Sequence, residues 1–370
     1  MALYHGYFLY GTAFTGGQNV DCVWQPDSRD GDREHREKLV EMLNVFITVD
    51  TEVYPLLSDW RVTGLAGDIS RDIDGQTREG DFGLRYQLQL LNEYGLKAVF
   101  FVESLFASSV GLEPLRRIVN LIQQEGHEVQ LHVHPEWLEH IPSSVWGGQR
   151  FSTIREFSEE DQTRLISLAL SNLRACGAGN INAFRAGDYA ANFDTLRALA
   201  RNGVAFDTSY NYCHLPADFQ MASGQPLLQP ACIPDVCEFP VSFFSDWPGH
   251  NRHAQVTACS YAELTNALMQ ASERHWFSFV IVLHSMELLM DRRRRLDRPR
   301  ADRILIRRFR RLCEFLASHR DKFRTATFGE FSAGDIPATV FSQKLVSPSL
   351  RTVSRFAEQG IRRVWGKVLR

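Results

Sequence analysis

The sequence predicts an α/β fold, a (β/α) barrel of seven or eight parallel strands. Three observations lead there. Apolar runs of strand length alternate with segments of helical period from about residue 44 to 330. Several of the helical segments close at a glycine that leads straight into the next apolar run, the signature of a βα unit. No GxGxxG follows a strand and no GxxxxGKS/T occurs, so an open nucleotide-binding sheet has no motif support.

The elements follow in order. NVFITVD (44–50) is a buried strand, and Leu84, Leu88 and Leu91 mark one face of a helix that stops at Gly95. LKAVFFVE (96–103) is the second strand. A helix carrying Leu115, Ile118, Val119 and Ile122 ends at Gly126, before the third strand HEVQLHVH (127–134). Ser158 caps a helix with Leu165, Leu168 and Leu173 that ends at Gly177. INAFRAG (181–187) is the fourth strand, followed by a helix from Asn192 to Gly203. VAFD (204–207), DVCEFPV (235–241), FSFVIVLH (277–284) and FRTATF (323–328) complete the strands. The domain reading is an N-terminal extension over 1–43, the barrel over 44–335 and a tail over 336–370. The long excursion at 208–234 is of the kind that builds binding sites at strand ends.

Composition narrows the function. With 44% hydrophobic and 23% charged residues the 370-residue chain can bury a full core unaided. A net charge of −3 provides no general attraction to nucleic acid. The run Arg292–Arg295 and the arginines of 303–320 read as a solvated face, because Leu305, Phe309, Leu312 and Leu316 take the other side. Seven cysteines without a CxxC pair read as reduced thiols. The first residues lack a basic n-region and no apolar run reaches 18 residues, so a cytoplasmic protein is expected.

The ends of the strands carry the chemistry, as in any βα barrel. Alternation puts Asp50 and Glu52 on one face of the first strand, and His132 and His134 together on the third. The fourth strand ends at Arg185, the fifth at Asp207 and the late apolar strand at His284. Two imidazoles at i, i+2 with one carboxylate make a three-point site for zinc or another first-row divalent ion, with positions left open. An open position suits metal-assisted hydrolysis, because water held there loses a proton more easily. The second carboxylate can take that proton, and a histidine across the site can protonate a departing amine.

Four segments carry a family resemblance: TVDTE (48–52), GHEVQLHVHP (126–135), FRAGDY (184–189) and VLHS (282–285). In order and spacing they resemble the motifs of the polysaccharide deacetylases, the NodB-type or family 4 carbohydrate esterases, over residues 44–330. The resemblance implies a distorted (β/α) barrel that removes the acetyl group from an N-acetylated sugar or glycan precursor. It implies Asp50 as catalytic base, His132 and His134 as metal ligands, Arg185 as the residue that orients the base and His284 as general acid. Asp207 would be the carboxylate supporting His284. Three departures mark a divergent branch. Thr51 replaces the family's second aspartate, which leaves Glu52 as the substitute ligand; whether Asp50 or Glu52 binds metal stays open. The histidines are two apart instead of four, and Gly187 stands where a proline is usual.

Other readings compete. A ureide-like amide hydrolase on the same scaffold would have a narrow site without aromatic platforms. An amidohydrolase would carry its HxH on the first strand. An inactive glycan-binding relative is opposed by the intact Asp50, His132, His134 and His284. Trp137, Trp146 and Trp247 are candidates to stack on sugar rings, and His127 is read as packing locally. In the tail, Leu350, Val353, Ala357, Ile361, Val364 and Val368 recur at helical spacing, with arginines and Lys367 mainly opposite. This basic amphipathic pattern suits peripheral contact with an anionic membrane, packing on the barrel or a partner subunit.

Overall fold

The computed structural model describes residues 42–54, 65–214, 226–233, 235–290, 299–338 and 343–368, with no side-chain description for Ser354 and 361–368. The expected extension (all but its last two residues), Cys22 and the Arg292–Arg295 run lie outside the described residues.

Strand β1 (Leu43–Thr51) is buried along its whole length because it sits in mid-sheet with neighbours on both edges and cover on both faces. It pairs in parallel with β10 (Ser278–His284) on one edge. Strands β2 (Val99–Glu103) and β11 (Phe323–Thr325) share the other. The order continues outward through β3 (Glu128–Val133), β4 (Ala183–Ala186), β5 (Phe206–Asp207), β7 (Val236–Glu238) and β6 (Ala231–Ile233). Every pairing in this nine-stranded sheet is parallel except β6 with β7.

Except between β5 and β7, successive parallel strands are joined through helices. The longer ones are α1 (Leu84–Glu93), α2 (Glu113–Gln124), α3 (Glu159–Ala175), α4 (Phe193–Arg201), α5 (Tyr261–Glu273) and α6 (Arg303–Ser318). Their starts are chemically marked. Ser158 Oγ accepts from Asp161 N, and Asn192 and Ser260 form capping boxes with Thr195 and Glu263.

One expectation is corrected. Among the described residues no ladder joins β6 or β7 to β10, so seven or eight parallel strands do not close into a continuous cylinder. The run 235–241 was expected as a strand, but β7 stops at Glu238. Pro240 has no N–H to donate, which ends the ladder there. Single bonds cross the seam instead: Ser242 N donates to Val280 O (3.2 Å), Val280 N to Ser242 Oγ (2.9 Å) and Val282 N to Ala254 O (2.9 Å).

Alternation along the strands sorts two cores. Val45, Ile47, Val49, Phe100, Val102, Ile281 and Leu283 face the helices. Phe46, Phe101, Phe206, Phe239, Val280 and Phe328 fill the interior. The Phe46 ring lies 4.8 Å from Phe328 and 5.3 Å from Phe239, centroid to centroid. This aromatic plug occupies the interior-facing positions that precede Asp50 on β1 and His284 on β10, giving those polar side chains a dry floor.

Short strands the sequence did not announce form a second sheet, β9-β8-β12, from β8 (Phe243–Trp247), β9 (His250–His253) and β12 (Leu345–Val346). Helix α7 (Ser349–Val368) follows. The cysteine expectation is also corrected in part. Cys232 and Cys237 face each other in the β6–β7 register and are disulfide-bonded, a pairing that hairpin geometry creates and spacing alone did not reveal. Cys176, Cys213, Cys259 and Cys313 are free. No described helix is long and apolar enough to cross a membrane.

Candidate active site

Register delivers the side chains in pairs. Asp50 lies opposite His284 in the β1–β10 ladder, and His132 lies opposite Arg185 in the β3–β4 ladder. All four project above the aromatic plug. They line or support a cavity of about 300 Å³ bounded by Asp50, Glu52, His132, His134, Tyr189 and His284, among others.

Arg185 is wholly buried and donates from Nη1 to Asp50 Oδ1 at 2.6 Å. Its Nε donates to Thr208 O (3.2 Å) and its Nη2 to Thr208 Oγ1 (3.3 Å), while the guanidinium lies 4.6 Å from the Phe101 ring centre. A buried charge pair survives only with such saturation of its donors. The result is a carboxylate fixed through one oxygen. The other, Oδ2, stands 3.8 Å from His284 Nε2.

Glu52 Oε2 lies 2.7 Å from His134 Nε2 and 3.4 Å from His132 Nε2, and one atom from each of the three residues falls within 4.8 Å of the others. The far side of each imidazole is already engaged. His132 Nδ1 lies 2.7 Å from Arg185 O, an atom that only accepts, so Nδ1 donates there and Nε2 is the ring nitrogen turned toward Glu52. His134 Nδ1 faces Glu136 Oε2 at 3.2 Å, the carboxylate–histidine arrangement common behind metal ligands. Burial works to raise the Glu52 carboxyl, but His134 and His132 outweigh it and hold it well below the usual range. The donor set and its backing therefore fit a first-row divalent ion bound by Glu52, His132 and His134.

His284 donates from Nδ1 to Glu287 Oε1 (3.0 Å). Thr257 Oγ1 (3.1 Å) and Gln255 Nε2 donate to the same carboxylate oxygen. Burial opposes charge on the imidazole, yet Glu287 and then Asp50 overcome it and raise His284 to about 9. His284 thus carries a proton at neutral pH, with Nε2 turned toward Asp50.

The expected support of His284 by Asp207 is corrected by this geometry. Asp207 Oδ1 accepts from Ser209 Oγ (2.6 Å), and its neighbour across the β5–β7 ladder is Glu238. Burial raises both carboxyls, and Asp207 adds to the rise at Glu238. Glu287 had a sequence signal that went unread: a carboxylate three residues after the strand-ending histidine. Gln255 and Tyr189 had none, and His214 lies in the excursion flagged as a site builder.

Gly187 explains one departure from the family pattern. A Cβ there would sit 2.6 Å from His134 Nδ1 and 2.7 Å from its Cε1, so only glycine leaves room for the ring. Asp188 and Tyr189, the next two residues, both adopt positive φ (54° and 57°), which is strained for residues with side chains. The Gly187→Ala variant is expected to push the imidazole aside and to lower divalent-metal affinity by roughly 10–100-fold. Competition with a chromophoric chelator measures this, and unchanged affinity would mean that His134 is not a ligand. Trp137 and Trp146 are buried in the core, so they offer no face to a sugar; Trp247 is exposed but is not among the residues that line the cavity. His127 packs edge-on against Phe100, and burial with Lys97 nearby lowers it to about 4.

No protein-family model matches the sequence, and none of the curated proteins matches it. Solved structures similar to it include polysaccharide deacetylases. One from Mycobacterium smegmatis, described as a polysaccharide deacetylase, is 17% identical with a TM-score of 0.49, covering 87% of this chain and 98% of that one. A family 4 carbohydrate esterase from Streptomyces lividans, solved with acetate, is 14% identical with a TM-score of 0.37, covering 77% and 92%. A pseudoenzyme of the same esterase family from Bacillus anthracis is 10% identical with a TM-score of 0.32, covering 66% and 56%. These are likenesses of chain path, and the residues of the cavity carry the functional reading.

Proposed function

We propose that the chain is a metal-dependent deacetylase that removes the acetyl group from an N-acetylated sugar or glycan precursor. One observation carries this: the Glu52–His132–His134 cluster shares a single cavity with a carboxylate held by arginine and an imidazole held by a carboxylate. A divalent ion bound there, zinc by its donor preference, would acidify water and polarise the acyl carbonyl. Asp50 accepts the proton of the attacking water at Oδ2, while Arg185 fixes Oδ1. His284 gives its Nε2 proton to the amide nitrogen as the C–N bond breaks, so the amine leaves neutral and acetate remains. Glu287 aims the ring and stabilises its charge.

Elemental analysis of the purified protein, beside acetate release from N-acetylated amino sugars, tests the proposal. About one divalent ion per chain is expected, lost together with acetate release in a His132→Ala, His134→Ala double variant. Equal metal in both proteins would sink it.

The cavity lining favours a second reading, hydrolysis of a small ureide-like amide. Among the residues that line it, Tyr189 supplies the aromatic ring and no tryptophan offers a sugar-stacking face. Ammonia release from small ureides, without acetate release from any amino sugar, would select that reading.

A further inference from the structure

Helix α7 is packed inside out. An amphipathic helix on a globular protein normally turns its apolar stripe inward. Here the buried side chains among the helix's described residues are Thr352 and Arg355, the latter 2% exposed. Arg355 donates from Nη2 to Asp246 Oδ2 (2.7 Å) and from Nε to Glu263 Oε1 (3.1 Å), and Thr352 Oγ1 donates to Asp246 O (3.1 Å). Arg308 adds an ion pair to Glu358 at 2.5 Å, and Arg351 donates to Ala262 O at 3.0 Å. These polar contacts set the helix's rotation, and they leave Leu350, Val353 and Phe356 exposed at 84%, 58% and 57%.

Two more large apolar side chains, Trp247 and Val346, are exposed on β8 and β12, the strands beside which the helix starts. Seven large apolar side chains are exposed among the described residues, and these make up five of them.

Charge decides the occupant. The helix carries Arg351, Arg355, Arg362, Arg363 and Lys367 against one Glu358, and Asp246 and Glu263 neutralise Arg355 alone. A symmetric second copy would set this basic helix against itself. An anionic lipid surface complements it, and an aromatic such as Trp247 suits the headgroup boundary. We propose that α7 docks the protein peripherally on an anionic membrane, with Leu350, Val353 and Phe356 inserted at the headgroup–acyl boundary and the Arg355 clamp holding them outward. This stands independently of the reaction assigned above.

The test is co-sedimentation of the full chain with vesicles of phosphatidylcholine alone and of a phosphatidylcholine–phosphatidylserine mixture. Binding to the mixed vesicles is expected to be stronger by at least about tenfold and to weaken with added salt. A Leu350→Glu, Val353→Glu variant is expected to lose it without a change in Tm, since both side chains are more than half exposed. Truncation is a poorer control, because it would strip Asp246 and Glu263 of Arg355. Equal partition onto both vesicle types, or a variant that pellets like the parent, overturns the proposal. So does a chain that ignores vesicles but forms a dimer split by the same variant, which would make a second copy the occupant.

Discussion

The Asp50→Asn variant is expected to lose turnover by about 10²–10⁴-fold while keeping its metal. Asparagine preserves the shape of the side chain and can still accept from Arg185 Nη1, but it cannot take a proton from water. Asp50 touches Arg185 and faces His284, whereas the imidazole nitrogens of His132 and His134 converge on Glu52. Glu52→Gln is therefore expected to do the reverse, weakening metal binding first and activity as a consequence. Neutralising Asp50 leaves a buried guanidinium with a weaker partner, a change that can cost a few kcal/mol of stability, so thermal melts accompany the assays. The measurements are metal content and initial rate for each variant. The opposite pattern would exchange the two roles, and activity retained in both would reject the mechanism.

Replacing His284 with alanine is expected to slow cleavage of an N-acetyl substrate by about 10²–10⁴-fold and to slow cleavage of nitrophenyl acetate far less. An amine anion is a very poor leaving group and needs a proton before C–N cleavage; nitrophenolate leaves unaided. Asp50, still held by Arg185, would continue to take the water's proton in the variant. A similar fall for both substrates would show that His284 shapes the site instead of donating a proton. The same residue sets a pH limb. Against the effect of burial, Glu287 first and then Asp50 and Glu52 raise His284 from 6.5 to about 9. The acid form is present below that value, so amide cleavage is expected to decline as pH rises through about 9. Glu287→Gln should move this limb down while leaving ester cleavage less affected. An unmoved limb would remove Glu287 from the positioning role.

Local periodicity made most of the framework legible. The strand at 44–50, the helix closing at Gly95 and the run 277–284 depend on apolar spacing and on capping residues, which act over a few residues and are visible without a structure. The convergence of Asp50, Glu52, His132, His134, Arg185 and His284 was legible for a related reason. Polar residues at the ends of buried strands share one rim once the strands run parallel.

What the tertiary structure alone decided lies where partners are distant in sequence. Pro240 broke the expected strand, and the seam was bridged by Ser242 and Ala254 from outside any ladder. Asp207 ended the right strand, yet the register set it beside Glu238, and the turn after β10 brought Glu287 to His284 instead. The tail's period announced an amphipathic helix, but periodicity is silent about which face turns inward. Arg355, meeting Asp246 and Glu263 from residues about a hundred positions away, fixed that rotation. Hydrophobic period is a property of the chain, whereas the pairing of buried charges depends on which distant carboxylates the fold brings within reach.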